Sequence, residues 1–259
     1  MVKEACPICG SKEIVCLDKS AKKYRCRSCD ETFVLEEKPK VVERIIEKAP
    51  DKSELSAAEI YKTVIDSICE ITSEFEDETS QGTAFYISAA GYMITNCHVV
   101  IDRKPNGKYE LCDDVYSCKS KSVDYDELEV VYIDPKNDLA LLKGNTKPVK
   151  QLKLAEKLPE IGETVVAIGN SKGEGLALVN GIVSDTNRDF QGHPAFLFNA
   201  LVSHGCSGGP IFNGKGEVCG VTVGGRDDAE GMKYGIPVET LHKFIKAAEA
   251  DKNITILLI

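Results

Sequence analysis

Most of the chain consists of short segments of the kind that form β-strands. Runs of β-branched and aromatic residues, such as GTAFYIS (82–88), YMITN (92–96) and TVVAIGN (164–170), are separated by Gly, Asn or Asp turn signals. Many short strands at this spacing are typical of an antiparallel sandwich or barrel. The 259 residues suffice for one large all-β domain or for two smaller domains.

Two segments depart from this pattern and predict helices. Ser56 and Glu59 form a capping-box pattern, which predicts a short helix that leads into a strand. Near the C-terminus the apolar period becomes helical after Pro237. One face of this second helix would consist of Leu241, Phe244, Ile245 and Ala248.

Four cysteines near the N-terminus form two C-x-x-C pairs, Cys6 with Cys9 and Cys26 with Cys29. Sixteen residues separate the pairs, which is within the spacing of a four-cysteine zinc site. Each pair can form a tight turn that aims two thiolates at one tetrahedral ion. CPICG and CRSCD resemble the knuckles of zinc-ribbon domains. We therefore expect one structural Zn²⁺ per chain, with a pair of redox dithiols as the alternative.

Composition divides the chain into three parts: a zinc ribbon at 1–35, a charged linker at 36–53 and a large domain at 54–259. Ten of the eighteen linker residues are charged, and a short docking or oligomerising helix is the alternative there. The odd count of eleven cysteines and the lack of a signal-peptide pattern predict a cytoplasmic protein. No apolar run of about 18 residues predicts a membrane span. The net charge of −9 disfavours nucleic acid and favours cationic or neutral polypeptide partners.

Three residues with the chemistry of acyl transfer occur in the order His98, Asp138 and Ser207. Acyl transfer by a hydroxyl needs a base beside it, a carboxylate that holds the base, and N–H donors for the developing oxyanion. The His, Asp, Ser order is that of the chymotrypsin arrangement. The glycines around Ser207 let the chain bend so that the N–H groups of Gly205 and Ser207 converge.

Residues 58–250 resemble the protease domain of the HtrA (Deg) family of chymotrypsin-like serine proteases. QGTAFYISAAGYMITNCHVV is similar to the strand pair that ends at the catalytic His of that family, and DPKNDLALLK to its Asp strand. IGETVVAIGN and VNGIVSD are similar to the start of its second barrel, FNALVSHGCSGGP to its nucleophile loop and YGIPVETL to the entry of its closing helix. The resemblance implies two six-stranded antiparallel β-barrels with the triad at their junction. It also implies hydrolysis of unfolded or flexible polypeptides.

The same resemblance implies that Ser207, the middle residue of the GxSGG loop, is the nucleophile and that Cys206 is not. Cys206 stands where many HtrA proteins have Asn and trypsin-type zymogens have Asp. Activation through a salt bridge to that Asp is therefore excluded. We expect the oxyanion hole to be formed by Gly205, Cys206 and Ser207.

Family geometry also implies a specificity pocket on either side of the nucleophile. Its lining residues would be Ala200, Leu201, Val223, Gly224 and Gly225. None of these residues is charged, so we expect cleavage after small or medium apolar residues.

Two features depart from the HtrA pattern. We expect no PDZ domain after the closing helix, and the predicted zinc ribbon lies at the opposite end of the chain. Because of these differences, the sequence does not decide whether the protein forms the trimer that is usual in the family. The leading hypothesis is a cytoplasmic serine endopeptidase whose ribbon recruits polypeptide substrates or a protein partner. The alternatives are a catalytically silent scaffold on a protease fold and a regulator that binds nucleic acid through its basic ribbon.

Overall fold

The chain divides into two units in the computed structural model, Met1–Pro50 and Asp51–Ile259. The predicted charged linker at 36–53 lies outside the described residues. The structure describes residues 5–20, 22–34, 54–104, 106–118, 125–145, 150–225 and 231–258.

The N-terminal unit contains a three-stranded antiparallel sheet in the order β1-β2-β3. Its strands are β1 (Ile14–Asp18), β2 (Lys23–Cys26) and β3 (Thr32–Val34). The rings of Tyr24 and Phe33 stack across two of these strands. Among the described residues of this unit, the buried apolar positions are Cys6 and Cys26. A core this small needs further stabilisation, which is why the cysteines matter for the fold.

The larger unit begins with the predicted short helix. The Ser56 side chain accepts a hydrogen bond from the Glu59 backbone at 3.3 Å, and the Glu59 carboxylate accepts the Ser56 N–H at 2.8 Å, so the capping box is confirmed. The elements from this helix to the end of the first barrel are α1 (Ala57–Val64), β4 (Ile68–Glu74), β5 (Thr79–Tyr86), β6 (Tyr92–Thr95), α2 (Cys97–Val100), β7 (Ile101–Arg103), β8 (Tyr109–Leu111), β9 (Asp114–Cys118), β10 (Tyr125–Asp134) and β11 (Leu139–Gly144).

The first barrel closes in the order β10-β11-β6-β5-β4-β9, while β7 and β8 form a separate hairpin. Its strands are buried on both faces near the second barrel. Ala84 and Tyr86 of β5 belong to the interior of the first barrel, whereas Phe85 of β5 and Ile87, which directly follows the strand, belong to the core shared with the second barrel. This two-sided burial explains why GTAFYIS reads as a continuous apolar run and not as a strict alternation.

The second barrel closes in the order β12-β13-β14-β17-β16-β15. Its strands and the closing helix are β12 (Thr164–Asn170), β13 (Leu176–Phe190), β14 (His193–Phe198), β15 (Pro210–Phe212), β16 (Val218–Gly225), β17 (Lys233–Pro237) and α3 (Val238–Lys252). The four residues predicted to form one face of α3 are all buried. The predicted fold class, two six-stranded antiparallel barrels with a C-terminal helix and a small cysteine-rich region, is confirmed. In the described part of the chain, no helix has the length and apolarity to cross a membrane.

Candidate active site

His98 and Asp138 are joined by two hydrogen bonds. His98 lies in α2, directly after β6, and Asp138 directly precedes β11, the neighbour of β6 in the barrel. The ring Nδ1 of His98 is 2.8 Å from Oδ2 of Asp138, and the His98 backbone N–H donates to Oδ1 at 2.9 Å. A carboxylate on Nδ1 favours the tautomer with the proton on that nitrogen. The Nε2 lone pair is then left for a proton donor.

The backbone of Asp138 forms a tight turn that is hydrogen-bonded to the segment before α2. Asp138 has φ of +52°, a left-handed conformation that Asp tolerates better than most residues, and it is only 6% exposed. The Asn96 side-chain amide donates to the Asp138 carbonyl oxygen at 2.9 Å and so links this turn to the segment before α2. Sequence reasoning missed Asn96, because an asparagine between a strand and a helix is an ordinary turn signal.

Ser207 lies in the same cleft, and in the structure as described its hydroxyl is not hydrogen-bonded to the His98 ring. Its hydroxyl donates a hydrogen bond to the Val223 carbonyl oxygen at 3.1 Å. Among the residues that the structure describes, this is the hydrogen bond that the hydroxyl makes. His98, Asp138 and Ser207 all line a cleft of about 710 Å³. The Ser207 hydroxyl must therefore release its hydrogen bond to Val223 before it can transfer a proton to His98.

The nucleophile loop leaves two backbone N–H groups without an acceptor. Among the residues that the structure describes, neither Gly205 nor Ser207 donates its N–H to a protein atom, whereas Cys206 donates to the Ser203 carbonyl oxygen at 3.2 Å. Gly205 has φ of +86°, and a Cβ there would lie 2.2 Å from the Asn170 carbonyl oxygen. Only glycine can occupy this position without a clash.

Thr83 of β5 connects the nucleophile loop to the first barrel through hydrogen bonds. Its N–H donates to the Ser207 carbonyl oxygen at 2.9 Å, and its hydroxyl donates to the Gly205 carbonyl oxygen, also at 2.9 Å. The same hydroxyl accepts the Asn170 N–H at 2.9 Å. Sequence reasoning missed this role, since a threonine in a strand carries no signal of a contact more than 100 positions away.

The thiols beside the site are buried. Cys206 is 7% exposed and lines a separate cavity of about 20 Å³, and it is not among the residues that line the cleft. Burial raises the pKa of the Cys206 thiol, and it raises the pKa of Cys97 to about 12. Both thiols therefore keep their protons at neutral pH, which disfavours a thiolate nucleophile at either position.

The structure brings together only part of the predicted specificity pocket. Val223, Gly224 and Gly225 line the cleft with Ser207. Ala200 is buried away from the cleft, and Leu201 is 80% exposed and lies against the smaller cavity instead.

Lys233, which was not predicted from the sequence, also lines the cleft. Lys233 is the first residue of β17 and pairs with Gly225 of β16. Lys233 directly precedes the YGIPVETL motif, so the sequence places it near the closing strand, but it does not show where the lysine side chain points.

A family model tests the resemblance read from the motifs. Residues 82–221, more than half of the chain, match the model of the trypsin-like peptidase domain. The chain belongs to the trypsin-like peptidase family. The matched range contains His98, Asp138 and Ser207, so this trypsin-like domain includes every residue of the predicted triad.

Curated relatives point to the HtrA type within this family. The chain is 30% identical over 203 residues to the pro-apoptotic serine protease NMA111 of Coccidioides immitis (strain RS), covering 70% of this chain and 19% of that relative. It is 35% identical over 186 residues to the probable periplasmic serine endoprotease DegP-like of Ectopseudomonas mendocina (strain ymp), covering 68% of this chain and 36% of that relative. The trypsin-like chain thus spans well under half of the curated relatives that it matches.

A solved structure supports the same fold. The crystal structure of the serine endoprotease from Yersinia pestis superposes with a TM-score of 0.65 at 24% identity, covering 76% of this chain and 68% of that chain. The predicted resemblance to HtrA (Deg) proteins and the assignment to chymotrypsin-type serine proteases are confirmed at the level of the family.

In the N-terminal unit, the four predicted metal ligands converge. The Sγ atoms of Cys6 and Cys29 are 3.8 Å apart, those of Cys9 and Cys26 are 3.6 Å apart, and all four lie within 4.8 Å of one another. Tetrahedral zinc with Zn–S bonds of about 2.3 Å requires S–S separations of about 3.8 Å. The four thiols therefore have the spacing of a tetrahedral tetrathiolate site.

Two equivalent turns produce this arrangement. The Cys6 carbonyl accepts the Gly10 N–H at 2.9 Å, and the Cys26 carbonyl accepts the Asp30 N–H at 3.0 Å. Both closing residues have left-handed φ, +73° at Gly10 and +62° at Asp30. Hydrogen bonding from the Cys29 backbone lowers the pKa of Cys26 to about 6, whereas, despite a hydrogen bond from the Glu31 backbone, burial and the neighbouring thiols raise the pKa of Cys29 to about 12. Of these two thiols, Cys26 is therefore the one that ionises more readily.

Proposed function

We propose that the protein is a serine endopeptidase in which Ser207 is the nucleophile, His98 the general base and Asp138 the group that orients the base. The observation that carries this proposal is the pair of hydrogen bonds from His98 to Asp138, in the cleft that Ser207 also lines. A base held in one tautomer beside a serine hydroxyl is the arrangement that nucleophilic acyl transfer requires.

In the proposed reaction the Ser207 hydroxyl oxygen attacks the scissile carbonyl carbon while its proton passes to His98 Nε2. The N–H groups of Gly205 and Ser207, which have no protein acceptor in the described residues, would donate to the oxyanion. His98 then gives the proton to the leaving amine, and the peptide bond breaks to leave an acyl-enzyme. A water molecule deprotonated by His98 hydrolyses that ester and restores the Ser207 hydroxyl.

An open cleft suits an extended segment of polypeptide better than a folded domain. We therefore propose unfolded or flexible polypeptides as substrates, as the HtrA resemblance implies. Binding of such a segment would also compete for the Val223 carbonyl oxygen, which holds the Ser207 hydroxyl in the present structure. Loss of that bond would free the hydroxyl to turn towards His98.

A fluorophosphonate probe, which reacts with an activated serine hydroxyl, tests the proposal. We expect labelling of the wild-type protein, mapped to Ser207 by mass spectrometry, and no labelling of Ser207→Ala. Ser184→Ala removes an exposed serine of β13 outside the cleft and should label like wild type. Labelling that survives in Ser207→Ala, or that maps to Cys206, would contradict the assignment.

The Ser207–Val223 hydrogen bond also favours a second candidate, a protease-fold scaffold protein whose serine is held inactive. The same probe separates the two functions. An inactive scaffold would show no labelling even when an excess of unfolded polypeptide is present, whereas an enzyme would be labelled and would cleave that polypeptide.

We propose further that Cys6, Cys9, Cys26 and Cys29 hold one structural Zn²⁺, which would supply the folding free energy that the small N-terminal core lacks. Four thiolates leave no open coordination position, so the ion would not take part in hydrolysis. The role we propose for this ribbon is recruitment of a protein partner or substrate.

Elemental analysis of the purified full chain tests the metal proposal, with about one zinc per chain expected. Cys29→Ser should lose zinc, whereas Cys16→Ser, which changes an exposed cysteine outside the cluster, should keep it. Equal zinc content in the two variants would exclude the four-cysteine site.

A further inference from the structure

Gly224 and Gly225 form one wall of the cleft, called here the glycine wall, and the ammonium group of Lys233 lies over it. Lys233 and Gly225 are paired in register on neighbouring strands, and a Cβ at Gly225 would lie 2.6 Å from Lys233 Cδ and 2.7 Å from Lys233 Nζ. The lysine can therefore adopt this position only because residue 225 has no side chain. The half-buried side chain crosses the wall instead of extending into solvent.

No carboxylate in the described part of the chain compensates the Lys233 charge. Other lysines are paired: Lys153 with Glu217 at 2.7 Å, and Lys104 with acidic neighbours on the β7–β8 hairpin. Of the described residues that line the cleft, the acidic one is Asp138, and both of its oxygens accept hydrogen bonds from His98. Within the described ranges the Lys233 ammonium thus has no counter-ion, and a partly desolvated ammonium in this state can bind an anionic group.

Lys233 lines the same cleft as Ser207. Burial raises the pKa of the Cys206 thiol, and the Lys233 charge opposes that rise. Gly224 and Gly225 add no side chains of their own to this wall; the Phe190 ring lies 3.8 Å from the place of a Cβ at Gly224, and Lys233 lies over Gly225. A substrate side chain that enters along the wall would meet the ammonium at its end.

We infer that Lys233 is a specificity-determining residue that selects Asp or Glu on the amino side of the scissile bond. The inference rests on the proposed endopeptidase function and deepens it by naming the substrate class. It replaces the expectation that the substrate residue before the cleaved bond is apolar. That expectation was based on five uncharged pocket residues, two of which do not line the cleft. Substrate aspartate and glutamate are ionised at neutral pH and would form a charge-assisted hydrogen bond to the ammonium.

The test compares fluorogenic peptides that are identical except for Glu or Gln before the cleaved bond, since these side chains differ in charge but hardly in size. A hydrogen bond to a charged group predicts a kcat/KM for Glu that is about 10- to 100-fold higher than for Gln. Lys233→Met should bring that ratio close to one, and Lys233→Arg should retain a preference for Glu. Lys246→Met, on the exposed side of α3, is the matched control and should leave the ratio unchanged.

The outcomes separate this inference from the proposed function. Hydrolysis with equal kcat/KM for Glu and Gln, or a preference that persists in Lys233→Met, overturns the inference and leaves the endopeptidase standing. If neither labelling nor hydrolysis occurs, the proposed function fails, and binding decides the inference instead. Ser207→Ala titrated with fluorescein-labelled Glu and Gln peptides should bind the Glu peptide more tightly, and equal affinities would overturn the role of Lys233.

Discussion

Replacing Thr83 by valine should separate the effect of one buried hydroxyl from all other properties of the side chain. Thr83 is fully buried, and its hydroxyl both donates to the Gly205 carbonyl oxygen and accepts the Asn170 N–H. Valine has nearly the same shape but can make neither bond. The Thr83→Val change therefore leaves two backbone groups without their partner in the nucleophile loop and the strand beside it.

The magnitude follows from these two groups. Each buried polar group left without a partner costs about 1–3 kcal/mol, and the added methyl recovers up to about 1 kcal/mol. We expect the free energy of unfolding to fall by roughly 1–5 kcal/mol. Urea unfolding followed by circular dichroism measures it, because the chain has no tryptophan for fluorescence. If the proposed function holds, kcat/KM should also fall by about 100-fold, since small displacements at an active site are costly.

Two other variants make the result decisive. Thr83→Ser keeps the hydroxyl and should lose about 1 kcal/mol, which is the contribution of a buried methyl. Thr222 is also buried, but its hydroxyl has no partner among the described residues, so Thr222→Val should be neutral or stabilising. If Thr83→Val and Thr222→Val changed the free energy of unfolding equally, the hydrogen-bond account of the loop would be refuted.

Three further changes have defined outcomes. Asp138→Asn should lower kcat by about 10⁴-fold with a smaller effect on stability, because an amide favours the wrong tautomer of His98; steady-state kinetics measures the loss. Gly205→Ala places a Cβ 2.2 Å from the Asn170 carbonyl oxygen, so we expect kcat to fall by about 10²- to 10³-fold through the displaced N–H donor. Burial raises the Cys97 pKa from 9.0 to about 12, so between these values only the unfolded chain loses the proton. The free energy of unfolding should fall as pH rises from 9 to 12, by up to about 1.4 kcal/mol per pH unit, and less steeply in Cys97→Ala.

Each of these predictions has an opposing result. Activity of Asp138→Asn within tenfold of wild type would exclude the orienting role. Gly162 also has positive φ, +93°, but open space around its position, so Gly162→Ala controls for backbone strain alone; equal losses in the two glycine variants would remove the clash argument. An equally steep decline with pH in Cys97→Ala would show that other groups cause the alkaline loss.

Short-range features of the sequence predicted the secondary structure. The capping box at Ser56 requires only neighbours three positions apart, and the buried face of α3 requires only the period of a helix. The strand-like runs and turn signals predicted an all-β chain, and the HtrA resemblance predicted two closed barrels, both of which the structure confirms. The N-terminal cysteine pairs likewise predicted a cluster, because each pair makes its own turn.

The sequence by itself therefore determined the element types, the family and the identities of His98, Asp138 and Ser207 as candidate site residues. Tertiary structure alone decided how the cleft is lined and how its loop is held. The Thr83 hydroxyl, in the first barrel, donates to the Gly205 carbonyl oxygen in the second. The Lys233 side chain can lie across Gly225 of the neighbouring strand because that residue has no Cβ. Such contacts depend on strand register and side-chain direction across long separations, which no local pattern of residues encodes.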